Sequence, residues 1–90
     1  MLDHSPGRLV RSLAGHDKDR VYVILREEGP WLYLSDGRLR PLEKPKKKKK
    51  MHVQLMGGTP LQESFREGKT VQNEAVRYAI KHYGGSNVES

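Results

Sequence analysis

Apolar residues in the first half of the chain come in short runs, each broken within a few positions by turn residues. Arg8 to Ser12 is a run of mixed character and reads as a first strand. Val21-Tyr22-Val23-Ile24-Leu25 is the clearest strand: β-branched and aromatic residues, apolar on both faces, the pattern of a central, buried strand. Glu27-Glu28-Gly29-Pro30 punctuates it as a turn, and Trp31 to Leu34 reads as a third strand. Asp36-Gly37 is a tight-turn signal, because such turns need a positive φ. Arg38-Leu39-Arg40 then reads as a fourth strand, with Leu39 on one face and both arginines on the other. Pro41 to Lys50 holds two prolines and a self-repelling lysine run, and reads as a loop that will not pack. His52 to Leu55 is a fifth short strand with Val53 and Leu55 facing inward.

The pattern changes after Gly57-Gly58. Thr59-Pro60-Leu61-Gln62 is a capping box with proline at the first helical position, and predicts a helix ending by Gly68. Thr70 is expected to cap a second helix from Val71 to about Tyr83, closed by Gly84-Gly85. Val71, Ala75, Tyr78 and Ala79 form one apolar stripe, with Val76, Ile80 and Tyr83 beside it. That stripe should dock on the strands or on a partner.

These elements predict a mainly β fold with an α tail. The expected form is a small SH3-like five-stranded β-barrel, closed so that few edges are exposed, followed by one or two short C-terminal helices. The expected organisation is a flexible N-terminus (1–6), a barrel (7–56) carrying a lysine-rich loop (44–50), a helical extension (57–85) and a flexible tail (86–90).

Length and charge sharpen this picture. Ninety residues make one small domain with a modest core. The net charge is +6, and Lys44 with Lys46 to Lys50 supplies all of it, since the rest of the chain balances eleven basic against eleven acidic residues. A neutral domain with one basic spike suits polyanions, nucleic acid first and an anionic membrane surface second. The absence of cysteine excludes disulfides and thiolate metal sites. No apolar run approaches the roughly 20 residues that span a bilayer. Met1-Leu2-Asp3-His4 lacks the basic start and apolar stretch of a signal peptide. The expectation is an intracellular, cytoplasmic protein.

Residues 7 to 25, GRLVRSLAGHDKDRVYVIL, combine a strand, a Gly-centred polar turn ringed by cations, and a strongly apolar strand. The arrangement resembles the KOW motif, an RNA-binding element of ribosomal proteins and transcription elongation factors. The matching residues are Gly7, Val10, Ser12, Ala14, Gly15, Asp17 and Lys18, leading into Val21 to Ile24. The order of the later segments is similar to small bacterial KOW-domain proteins, related in turn to a large-subunit ribosomal protein family of archaea and eukaryotes. Those segments are Asp36 to Arg40, the Pro-Lys-rich stretch Pro45 to Lys50, His52, and a helical tail matching Thr70 to Tyr83. His16 stands where an arginine is frequent and Asp19 where a glycine is frequent, which lowers the turn's charge and its flexibility. The resemblance implies an SH3-like barrel that binds RNA or the ribosome.

The candidate RNA-binding residues are Arg8, Arg11, Ser12, Gly15, His16, Lys18 and Arg20 around the turn, with Arg38 and Arg40 from the predicted fourth strand. Lys44, Lys46, Lys47, Lys48, Lys49, Lys50 and His52 complete the set. Each lysine that neutralises a phosphate releases counterions, so the lysine run is expected to supply affinity that falls with salt. The run alternatively reads as a solvated loop or a nuclear import signal. Trp31 and Tyr33 share one face of their strand and read as core or core-rim residues, with stacking on RNA bases the lesser reading. Tyr22 should be packed; Phe65, Tyr78 and Tyr83 should hold the helices. His4, His16, His52 and His82 show no paired metal-ligand spacing, and Ser12 has no evident base.

The expected function is therefore non-catalytic, cofactor-free binding of structured RNA, with ribosomal RNA of the large subunit as partner. A ribosomal protein neighbour would meet the C-terminal helices, no membrane is involved, and the free protein is a monomer. The alternatives are an SH3-like protein-interaction module and a nuclear or chromatin-type basic module.

Overall fold

Val21–Glu28 (β2), which contains the strongest strand signal in the sequence, lies at the centre of a five-stranded antiparallel sheet. The computed structural model describes residues 3–85. β2 pairs with Leu9–Ser12 (β1) on one side and Trp31–Ser35 (β3) on the other. Lys46–Lys49 (β4) adds to β3, and Val53–Leu55 (β5) adds to β1, so the order is β4-β3-β2-β1-β5. The helices are Leu61–Arg66 (α1) and Asn73–Tyr83 (α2).

β4 and β5 are the two outermost strands, yet one 3-10 turn, Lys50–His52, joins them. Five strands laid flat would span about 19 Å between the outer pair, and a turn of this kind rises only about 2 Å per residue. The sheet therefore curls until its edges approach, without closing. A register shift between Ile24 and Arg26, where Leu25 intervenes, gives β2 the local bend of a bulge.

The two faces of the curled sheet bury different sets of residues. Val10, Tyr22, Ile24, Leu32, Leu34 and Val53 form a cluster made by the sheet alone, with Leu55 packed beside it. Leu9 and Val23 face the other way and meet Leu61 of α1 and Val76 and Ala79 of α2. β2 feeds both clusters, which is why its sequence is apolar at successive positions. Each buried Val, Leu or Ile contributes about 1.5–3 kcal/mol relative to exposure.

The α tail docks on the sheet. The Thr59 hydroxyl donates to the Gly7 carbonyl (2.7 Å) and accepts the Leu61 N–H (3.0 Å). The predicted capping box is only half formed, because Gln62 reaches instead to the Ser5 hydroxyl (3.1 Å). Gly7 has φ +99°, and a Cβ there would collide with the Gln62 backbone. Gly7 thus serves the close approach of α1. α2 begins at Asn73 rather than at Val71, and Thr70 does not cap it. Asn73 Oδ1 accepts the Leu42 N–H (2.8 Å), tying the helix to the segment after β3. Val76 and Ala79 are buried, whereas Tyr78 is 60% exposed and leaves the predicted stripe.

Three further expectations are corrected. Arg38-Leu39-Arg40 is not a strand. Asp36 Oδ1 accepts the N–H groups of Arg38 (2.8 Å) and Arg40 (2.9 Å), which closes residues 36–40 into a turn and leaves Leu39 72% exposed. The lysine run is not an unpacked loop: it is the edge strand β4. Glu27 and Glu28 continue β2 instead of ending it, and the chain turns at Gly29 and Pro30. Before β1, His4 is buried and the Gly7 N–H bonds the Ile24 carbonyl (2.8 Å). The tail expected at 86–90 lies outside the described residues.

Candidate nucleic-acid interface

The segment between β1 and β2 is built around one buried carboxylate. Asp17 Oδ1 lies 2.9 Å from the Ser12 hydroxyl and 3.2 Å from Lys48 Nζ, and Oδ2 accepts the Tyr22 hydroxyl at 3.0 Å. Lys46 Nζ stands 3.7 Å from Oδ2. Burial alone would push the Asp17 pKa up, but the hydrogen bonds from Ser12, Tyr22 and Lys48 outweigh it and hold the carboxyl at about 2. The same contacts act oppositely on Tyr22: burial first, then the hydrogen bond to Asp17 and the Asp17 charge, raise its phenol above the ordinary range.

Backbone bonds shape the rest of the turn. The Lys18 N–H meets the Gly15 carbonyl (3.2 Å), the Asp19 N–H meets the Ser12 carbonyl (2.8 Å), and the Leu13 N–H meets the His52 carbonyl (2.9 Å). Gly15 sits at φ +90° and Asp19 at φ +73°. Asp19 therefore adopts the left-handed conformation that glycine takes without strain.

β4 sorts its lysines by parity. Side chains alternate across a strand, so Lys46 and Lys48 turn toward Asp17, while Lys50 just beyond the strand pairs with Glu27. Lys47 and Lys49 point the other way. Lys47 Nζ lies 4.7 Å from the Trp31 ring centroid and 5.9 Å from that of Tyr33, and Lys49 Nζ lies 5.4 Å from Trp31. A charged, poor β-former is held in a strand because each side of it finds partners. At an outer edge, lysines also discourage pairing with another chain.

Several candidate residues serve the fold. Ser12 is fully buried on Asp17. Arg8 donates to the Met56 carbonyl (2.7 Å) and faces Asp3 (3.7 Å). Arg11 donates to Gln54 Oε1 (2.6 Å), its cross-strand neighbour on β5. Lys48 also donates to the Ala14 carbonyl (3.0 Å), clamping the Gly15 turn to β4. His16, Lys18, Arg20, Arg38, Arg40, Lys44 and His52 are exposed. Among the described residues no carboxylate lies within ion-pair distance of Lys18, Arg20, Arg38, Arg40 or Lys44.

Part of this set converges. His16 and Arg20 from the turn, Asp36, Leu39 and Arg40 from the 36–40 turn, and Lys46 from β4 border one open depression of about 220 Å³, floored by Asp17 and Tyr22. Arg38 faces away, into a groove shared with Arg77 and Lys81 of α2. Sequence reasoning missed the role of Asp17 as a hub, because its partners Ser12, Tyr22 and Lys48 meet only through tertiary pairing. It also missed Arg26, whose guanidinium lies 4.2 Å from the Tyr33 ring centroid.

Among the described residues there is no group of three or more His, Asp or Glu side chains placed to hold a metal ion. No helix among them is long and apolar enough to cross a membrane. No protein-family model matches the chain, and no curated protein matches it.

Proposed function

We propose that the protein is a non-catalytic RNA-binding module of the KOW type that works with the ribosome in the cytoplasm. The supporting observation is the convergence of His16 and Arg20 from the β1–β2 turn with Arg40 and Lys46 from the segment that follows β3 on one open depression. Guanidinium groups bind phosphate bidentately, and a cluster of them on a rigid rim suits the backbone of a folded RNA. Few side chains there can read base edges, so shape and phosphate spacing set selectivity. The curled sheet is read as an SH3-like barrel left open between β4 and β5; the single turn joining these outermost strands supports that reading. Tyr78 and Tyr83, 60% and 45% exposed on α2, are the surface for a ribosomal protein neighbour.

The test is co-sedimentation with large ribosomal subunits. Binding is expected at low salt and release at high salt, with Arg20→Gln/Arg40→Gln bound at least tenfold more weakly. A complex that survives high salt and nuclease treatment would instead mark a protein-interaction module, and no co-sedimentation at low salt would end the ribosomal reading.

A further inference from the structure

Trp31 and Tyr33 belong to neither core cluster. They are half-buried on the outer face of β3, beyond the part covered by the helices. What lies over them is charge: Lys47 and Lys49 over Trp31, and Arg26 and Lys47 over Tyr33. Among the described residues, the carboxylate that joins the array is Glu28, which accepts the Tyr33 hydroxyl at 3.0 Å. Three cations therefore face two rings and one anion.

Such contacts are weak at an exposed site, so an arriving phosphate can draw the ammonium groups off the rings. The ring faces thus uncovered can accept planar bases, and the displaced cations stay within reach of the phosphates. The Cα atoms of Trp31 and Tyr33 are roughly 7 Å apart, as for any alternate residues on a strand, which spaces them for neighbouring unstacked nucleotides. Beside Tyr33 an open depression of about 350 Å³, lined by Leu25, Leu42 and Pro45, leaves room for a ring to lie flat.

The geometry points to a second nucleic-acid surface on the outer face of β2–β3–β4, which takes unpaired, single-stranded bases by stacking on Trp31 and Tyr33. It deepens the RNA reading above but uses different residues. A duplex keeps its bases inside its own stack and cannot use this surface.

Trp31 is the one tryptophan of the chain, so its emission reports this surface directly. Single-stranded octaadenylate RNA added to the full chain quenches it well beyond the change caused by a fully paired hairpin or inorganic polyphosphate of equal charge, which can move the cations but cannot stack. Tyr33→Ala weakens binding of labelled octaadenylate about tenfold, measured by anisotropy on protein whose thermal melt remains cooperative. An emission unchanged by the octamer, equal quenching by polyphosphate, or a Tyr33→Ala variant that binds as tightly as the parent each overturns the proposal. Arg20→Gln/Arg40→Gln leaves the quenching intact. If large subunits fail to bind while the octamer still quenches, the ribosomal reading falls and this surface stands.

Discussion

Lys48 Nζ sits 3.2 Å from Asp17 Oδ1, joining residues 31 positions apart. One cation of the run expected from sequence to form an unpacked, phosphate-contacting loop is thereby built into the Gly15 turn. The ammonium also bonds the Ala14 carbonyl, so β4 holds the Gly15 turn in place from behind. The basic spike is two devices in one strand: alternate lysines brace the fold, and the others face outward over aromatic rings.

Asp17→Asn should destabilise the protein by about 2 kcal/mol at neutral pH. The Asp17 carboxyl titrates at about 2 when folded, below its ordinary 3.8. Its contribution is complete above about pH 4 and is lost as pH falls through 2. Unfolding curves between pH 5 and 2 should therefore slope for the parent and be flatter for Asp17→Asn. Equal slopes would show that the hub does not couple to folding.

Asp19→Gly should raise stability by up to about 1 kcal/mol, and Asp19→Ala should lower it by a similar amount. The residue sits at φ +73°, where glycine is unstrained, aspartate is tolerated and alanine is not. In a domain of this size such a change moves Tm by about 4–8 °C. A melting temperature that rises for alanine would contradict the backbone argument.

Gly7→Ala should destabilise by about 2 kcal/mol or more. Its φ is +99°, and the added methyl meets the Gln62 backbone, which cannot rotate aside as a side chain would. Thr59→Ala should cost less, about 1 kcal/mol, by removing the hydroxyl that bonds Gly7 and Leu61. Chemical denaturation of both variants gives the ranking.

The lysines should separate by parity in salt titrations. Lys47→Gln/Lys49→Gln should make the log–log salt dependence of single-stranded RNA binding shallower by about 1.4, with little loss of stability. Lys48→Gln should leave that slope unchanged and lower stability, because it strips two bonds from the Gly15 turn. A common effect from both variants would mean that the strand acts as an undifferentiated charge.

Much of the β framework was legible in the chain. The run from Val21 to Leu25 announced a buried strand because adjacent apolar residues require burial on both faces, and β2 does lie between two clusters. The turn chemistry of Asp36-Gly37 was also visible, but not what followed. Arg38 to Arg40 alternate like a strand, yet the Asp36 carboxylate captures their N–H groups first, a local competition that periodicity cannot register. Likewise Thr70 has the chemistry of a cap, while the helix start was decided by Asn73 meeting Leu42.

The sequence by itself determined that strands arise near β1, β2, β3 and β5 and that two helices follow, that their apolar faces must be covered, and that the charge is concentrated in one run, since these depend on composition and local spacing. Only the tertiary structure decided what that run does. Pairing with β3 turns four like charges into an alternating edge strand, and the partners that make this tolerable, Asp17, Trp31 and Tyr33, with Glu27 for the Lys50 that follows, lie elsewhere in the chain. Like charges repel in isolation; opposite charges and ring faces brought within a few ångströms reverse the balance, and the fold brings them there.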